Sequence, residues 1–405
     1  MKRTRCSACG YDDLRLILDL GLSPIADNYT KDTGSVPFYP LQLAVCAGCH
    51  LVQLLDVVPD LFGSGYSFYS SASAPLSAYH RAYASDVINT YQLGPDGLGE
   101  RPLVVEIGSN DGDMGQHFVH TGYRVIGVDP ADGPGDIALN RGLDVRVKPF
   151  GRNLAHEIHA QEGPAGIIIA NHVLAHVENV SDVFAGINEL LTYAGTVYIE
   201  VQYLPDMLLN NAIDLIYHEH RNFFSLTSLH AAARIHNLYV NDAQLTDRQG
   251  GSLRVKLSRH AGATKRALAL RDSENWLADT DVYAGLQGRA ERLRARLLQL
   301  LTNERDLGHV VVGYGAPAKA TTLLNFCGVG DDLVTWVLDT TKAKQDRFIP
   351  GTGIKIYNPG AIAREHVDTY LLLAWNYQRE IMRNEQQFTI DGGRWIVPVP
   401  APTLL

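Results

Sequence analysis

The sequence predicts an α/β protein in three parts: a cysteine-bearing module over residues 1–70 and two parallel-sheet units over residues 71–245 and 246–405. Three observations predict it. Apolar, β-branched runs alternate with helical or turn segments through most of the chain, which indicates parallel sheets covered on both faces. Two of those runs pass into a helix through a glycine turn. Four of the five cysteines fall in two Cys-x2-Cys pairs ahead of the first such run.

Length and composition agree. At 405 residues the chain is too long for one ordinary core. A hydrophobic content of 46% with 20% charged residues is that of a globular protein. No apolar run reaches the length of a membrane span, and the basic start Lys2-Arg3-Thr4-Arg5 is not followed by a signal-peptide core, so a cytoplasmic protein without a membrane partner is expected. The formal charge of −9 disfavours a nucleic-acid partner, which would want a basic face.

In chain order, "LQLAVC" and "LVQLL" predict short hairpin strands beside the cysteines, and "SAYHRAYASDVINTY" predicts a helix. "PLVVEIG", "YRVIGVDP", "LDVRVKPF", "AGIIIANHV" and "GTVYIEVQ" predict the strands of the first large sheet. "NLYVNDAQLTDRQGGSLRVKLSR" reads as a strand pair, and "YAGLQGRAERLRARLLQLLTNERDLG" as a long amphipathic helix with charges opposite a leucine stripe. "HVVVGYGAPAKATTLLNF", "LVTWVLDTT", "VDTYLLLAW" and "RWIVPVP" predict the second sheet.

Cys6-Ser-Ala-Cys9 and Cys46-Ala-Gly-Cys49, 36 residues apart, have the spacing of two zinc knuckles. Each pair makes a tight turn presenting two thiolates, and four thiolates suit tetrahedral zinc with no open position, hence a structural ion. Cys327 is left over as a small core residue.

Glu106-Ile-Gly108-Ser-Asn110-Asp-Gly112 sits where a strand enters a helix, and Asp129 ends the next strand 21 residues after Gly108. Glycines there allow close backbone approach, and a carboxylate at the second strand's end can accept from both ribose hydroxyls. A dinucleotide or S-adenosylmethionine (SAM) would fit. Asn110 stands where a pyrophosphate would want glycine, and SAM has no phosphate, so the loop favours SAM. Asn171, at the end of "AGIIIAN", joins the expected cofactor residues. The second turn, Gly313-Tyr-Gly315 with Lys319 one helical turn on, offers a seat for a diphosphate, and Asp339, Lys342, Lys344 and Arg347 form a polar, basic loop near it.

One stretch, His218-Glu219-His220, could hold a metal, move a proton or form a polar turn. No third ligand lies at a familiar spacing and His-Glu-x-x-His is absent, which disfavours the metal.

The knuckles, "EIGSNDG", "ANHVLAHVEN", "YHEHRNFFSLTSL", "GGSLRV", "GYGAPAK" and the "PGT" segment together resemble bacterial C-methyltransferases of nucleotide-linked keto-deoxysugars. The resemblance covers nearly the whole chain. It implies a zinc-binding module, a Rossmann-like SAM-dependent methyltransferase domain, and a second Rossmann-like domain that holds the nucleotide sugar at Gly313, Gly315, Lys319, Asp339 and Arg347. It implies methylation next to a ketone, chiefly at C-3 of a thymidine-diphosphate-linked (dTDP) 4-keto sugar in antibiotic deoxysugar synthesis. It also assigns Tyr217, Glu219, His220, His176 and Tyr69 to the active site.

Carbon methylation needs an α proton removed and an enolate stabilised, and histidine suits the first task. His220 is expected as the base, Glu219 as the residue that orients it or completes the oxyanion contacts, and His176 and Tyr217 as donors to the enolate oxygen. A monomer is expected. C-5 methylation, an oxygen or nitrogen methyltransferase, a nicotinamide-linked oxidoreductase and a non-catalytic binding protein are the rival expectations.

Overall fold

A computed structural model describes residues 2–59, 61–62, 68–92, 101–247, 250–361 and 366–405. Among them are three sheets.

The first is antiparallel, in the order Leu14–Pro24, Phe38–Cys46, Val52–Leu54 and Asn222–Phe223. The cysteines lie at its loops, so the knuckles form as expected. Its last strand comes from far along the chain, immediately after His220. The N-terminal module is therefore built directly onto the His218–His220 segment.

The second sheet has seven strands, ordered Tyr239–Thr246, Ser252–Ser258, Leu191–Gln202, Ala165–Asn171, Leu103–Ile107, Arg124–Val128 and Asp144–Arg146. The last five are parallel; Ser252–Ser258 is antiparallel both to Leu191–Gln202 and to its hairpin partner Tyr239–Thr246. Leu103–Ile107 and Ala165–Asn171 are almost wholly buried, which explains why they read as continuous apolar runs. Strand Ser252–Ser258 pairs with Leu191–Gln202 although it lies beyond the expected boundary at residue 245. The strand order reverses between Leu103–Ile107 and Ala165–Asn171, and the crevice outside their carboxyl ends is where such a sheet takes its ligand.

The third sheet runs Lys355–Tyr357, Trp336–Leu338, Val311–Tyr314, Thr369–Leu372, Arg394–Val397 and Thr403–Leu404. All but the last strand are parallel. Its order reverses beside Val311–Tyr314, where the Gly313–Gly315 turn opens. A Cβ at Gly315, held at φ +83°, would press on Ala374.

Helix Leu286–Asp306 joins the two halves of the molecule. Leu286, Ala290, Leu293, Leu297, Leu300 and Leu301 are all buried, in one core with residues of the first sheet, the Leu204–Ile216 segment and the third sheet. At roughly 1.5–3 kcal/mol per buried leucine, that stripe is a principal tie between the first and third sheets. Among the described residues no helix is long and apolar enough to cross a membrane.

Candidate active site

The zinc cluster is formed. The four sulfurs of Cys6, Cys9, Cys46 and Cys49 lie within 4.8 Å of one another, with Cys6–Cys49 and Cys9–Cys46 at 3.5 Å. A tetrahedral zinc with about 2.3 Å bonds needs sulfurs about 3.8 Å apart, so the set fits the ion.

The first glycine loop turns tightly at the end of its strand. Gly108 (φ +72°) follows the strand, and a Cβ there would collide with the Val173 side chain, so only glycine lets the loop close on the opposite strand end. Asp129 accepts from the Asn110 N–H at 2.8 Å and the Ala131 N–H at 2.9 Å, one on each oxygen. Each oxygen keeps a lone pair for a ribose hydroxyl. Asn110 sits at φ +49° and its side chain accepts from Ser70 N–H (2.8 Å) and donates to Phe68 O (3.0 Å), so it ties the loop to the segment before it. Gly112 (φ +78°) packs on Ala138 and Leu143. Asn171 donates to Met114 Sδ at 3.1 Å, and among the described residues its Oδ1 has no hydrogen-bond partner, which suits a residue that waits for a ligand. Glu106 is buried behind the loop, and burial, with Asp113 nearby, pushes its carboxyl well above the usual range. The Tyr69 hydroxyl stands beside Gly133, in the first turn of helix Asp132–Asn140, which follows Asp129. Tyr66, its sequence neighbour, lies outside the described residues.

The residues expected to move protons lie against the His172–Val177 loop, where Arg221 N–H and Asn222 N–H donate to the Ala175 carbonyl. His220 is buried, with Nδ1 at 2.9 Å from the Leu215 carbonyl and Nε2 at 2.8 Å from the Tyr217 hydroxyl. A carbonyl can only accept, so Nδ1 carries the proton and Nε2 the lone pair, into which Tyr217 donates. His176 repeats the pattern: its Nδ1 donates to the Glu219 carbonyl at 2.7 Å, and its ring centre is 5.1 Å from that of His220. Burial lowers His220 well below its ordinary value and His176 to about 4, so both are neutral bases at pH 7.

Three expectations need correction. His176, whose Nδ1–H is spent on the Glu219 carbonyl in a neutral ring, presents a lone pair and not a donor for an enolate oxygen. Glu219 does not orient His220; the Leu215 carbonyl and Tyr217 do. The Glu219 carboxylate instead accepts from the Asp27 N–H at 3.0 Å, and burial, helped by Asp27, raises it to about 7. The reason is the 3-residue turn Ile213–Leu215, which aims one carbonyl back at the imidazole. Lys319 does not face an open seat beside the second glycine turn. Its ammonium is buried, donates to Asn376 Oδ1 at 2.8 Å, stands 3.7 Å from the Trp375 ring centre and has Asp214 nearby; burial lowers it to about 8. Arg347 donates to Tyr29 O at 3.1 Å, while Asp339 accepts from Ala316 N–H at 2.7 Å and Thr341 N–H at 2.7 Å, which shapes the Gly313–Gly315 turn from within. His218 points away from the site, toward Pro40 O at 3.2 Å and the Tyr39 ring.

Other residues here were not foreseen. Phe62 meets His176 edge-on at 5.1 Å. Glu200, fully buried on the strand beside Ala165–Asn171, accepts from Tyr79 (2.6 Å) and Arg254 (2.8 Å), with His172 Nε2 at 3.4 Å. His172 follows Asn171 at φ +53°, and His80 pairs with Asp113 at 2.8 Å. The histidine beside Asn171 and the strand carboxylate were the available signals, but nothing local links them.

Similarity to known proteins agrees with this geometry. A putative zinc binding domain model matches residues 6–60, a methyltransferase domain model residues 78–242, and a C-methyltransferase C-terminal domain model residues 247–400. The C-methyltransferase NovU of Streptomyces niveus is 35% identical over 410 residues, 99% of this chain and 96% of that one. Among solved structures, the PH0226 protein of Pyrococcus horikoshii is 12% identical over 48% of this chain and 96% of its own, with a TM-score of 0.38. Magnesium protoporphyrin IX methyltransferase of Synechocystis is 14% identical over 49% and 90%, with a TM-score of 0.36. The full-length match, with the cysteine cluster and the cofactor cradle, settles the family: this chain belongs to the SAM-dependent C-methyltransferases that carry an N-terminal zinc-binding domain.

Proposed function

We propose that the enzyme methylates the carbon next to the ketone of a dTDP-linked 4-keto-deoxysugar, at C-3, in antibiotic deoxysugar synthesis. The observation that carries this reading is the His220 imidazole, buried, neutral and held with its Nε2 lone pair toward the Tyr217 hydroxyl. An oxygen or nitrogen acceptor needs no carbon acid removed; a carbon acceptor does.

In this reading the sugar displaces the Tyr217 hydroxyl from His220, whose Nε2 then takes the α proton. The C–H electrons move to the ketone oxygen as an enolate. The freed Tyr217 hydroxyl and a protonated Glu219 donate to that oxygen, which strengthens as its charge grows. Burial disfavours the imidazolium in the free enzyme, and the enolate forming beside it offsets this. SAM, when bound, would supply an electrophilic methyl group to the carbon; the Gly108–Gly112 loop, Asp129 and Asn171 would hold it, with Tyr69 closing that side of the site. The Gly313–Gly315 turn, with Asp339 and Arg347, is assigned to the nucleotide. The four cysteines hold structural zinc and take no part in the chemistry.

The test is α-proton exchange of a dTDP-4-keto sugar in deuterated water with S-adenosylhomocysteine present. Wild type exchanges. His220→Ala loses about 10²–10⁴-fold, the usual worth of a general base. Exchange at the wild-type rate in that variant removes His220 from the role. Carbon NMR of the methylated product separates C-3 from C-5.

A further inference from the structure

We propose that the C-terminal domain positions the acid–base groups, through two consecutive threonines on the helix that opens at its glycine turn. This rests on His220 as base. Helix Ala318–Cys327 starts just after the Gly313–Gly315 turn, and Thr321 and Thr322 on it are both buried. Threonines with the donors spent inside their own helix would be ordinary packing. These two instead reach out of the domain. Thr322 Oγ1 donates to the Ile216 carbonyl at 2.9 Å, and Thr321 Oγ1 donates to the Ala26 carbonyl at 2.9 Å.

Each contact lands one residue from a group that holds the site. Ile216 follows Leu215, whose carbonyl fixes the His220 tautomer. Ala26 precedes Asp27, whose N–H holds the Glu219 carboxyl. The Leu215 turn is gripped from its other side as well: Trp375 Nε1 donates to Asp214 at 2.6 Å, and Lys319 stands over that same indole ring. Asp214, Leu215 and Ile216 are thus a three-residue strap. Its ends are fastened to the C-terminal domain and its middle carbonyl to the base. Thr321 and Thr322 are positioning residues.

Substitution separates this role from packing. Thr322→Val keeps the shape and removes the donor, whereas Thr322→Ser keeps the donor and removes the methyl. The positioning role requires the valine variant to lose about tenfold in α-proton exchange with the sugar's KM little changed, and the serine variant to keep the wild-type rate. Ring-nitrogen NMR of His220 reports the same event without substrate: the single Nδ1–H form of wild type becomes a mixture in the valine variant. Trp375→Phe, which removes the donor to Asp214 and keeps a ring, gives the same mixture if the valine variant does not fold. Wild-type exchange and an unchanged His220 spectrum in Thr322→Val overturn the proposal, as does a serine variant as impaired as the valine one. If His220→Ala itself exchanges normally, the base assignment has failed instead, and the tautomer measurement still reports on the strap.

Discussion

Glu200→Gln tests the buried network under the cofactor site. Burial pushes the Glu200 carboxyl up, but His172, Tyr79 and Arg254 overcome that and hold it at about 2, against an ordinary 4.5. At about 1.36 kcal/mol per pH unit, that difference is worth about 3 kcal/mol to the folded state. Because the folded value is depressed, this stabilisation is complete above the unfolded value. It is lost as pH falls from about 4.5 to about 2. Glutamine keeps the size and an acceptor for Tyr79 but leaves the Arg254 guanidinium, 2.8 Å away, without its counter-charge. Removing one partner of a buried pair costs about 3–5 kcal/mol, which agrees with the titration figure. Urea unfolding at pH 7 should therefore place the variant's midpoint lower by up to about 1 M, with a slope of about 3 kcal/mol/M or more for a chain of this size. Near pH 2 the two proteins should unfold alike, and because zinc loss at low pH affects both, it cancels in the comparison. Equal midpoints at pH 7 refute the reasoning, and so does a gap that stays open in acid.

Elemental analysis should find one zinc per chain, and Cys46→Ser with Cys49→Ser should lose it and destabilise the first sheet; full retention defeats the ligand set. Asp129→Ala should weaken S-adenosylhomocysteine binding by about 1.5–3 kcal/mol in calorimetry, the worth of hydrogen bonds to a charged group. Gly108→Ala should cost at least as much, because its Cβ would meet Val173 and its φ is +72°. Exchange rates should hold from pH 7 down to about 5.5, since burial keeps His220 and His176 neutral there, and fall above about 7 as Glu219 loses its proton. Glu219→Gln should abolish that alkaline fall; a fall centred near 6.5 on the acid side would mean an ordinary, exposed histidine is the base.

Much of this protein was legible in short windows. The knuckles, the Glu106–Gly112 loop and the strand runs depend on residues a few positions apart, where thiolate spacing, positive φ and side-chain period decide the outcome. The Leu103–Ile107 and Ala165–Asn171 strands could be read directly because burial on both faces leaves no polar alternation. His220 was singled out in the same way, by a short motif that the family resemblance carries.

What surrounds His220 was not legible. Its partner is the Leu215 carbonyl, a backbone atom that no side-chain pattern marks. Lys319 sits in a helix-start position that suits phosphate, yet Asp214, 105 positions earlier, and Trp375 hold it within the protein. Glu200 meets Arg254 only because strand Ser252–Ser258 folds back beside Leu191–Gln202, across the expected boundary at residue 245. The sequence by itself determined the elements, the metal ligands and the cofactor loop, because those follow from local geometry. Tertiary structure alone decided tautomers, charge partners and the domain strap, because they depend on groups brought together by packing from distant parts of the chain.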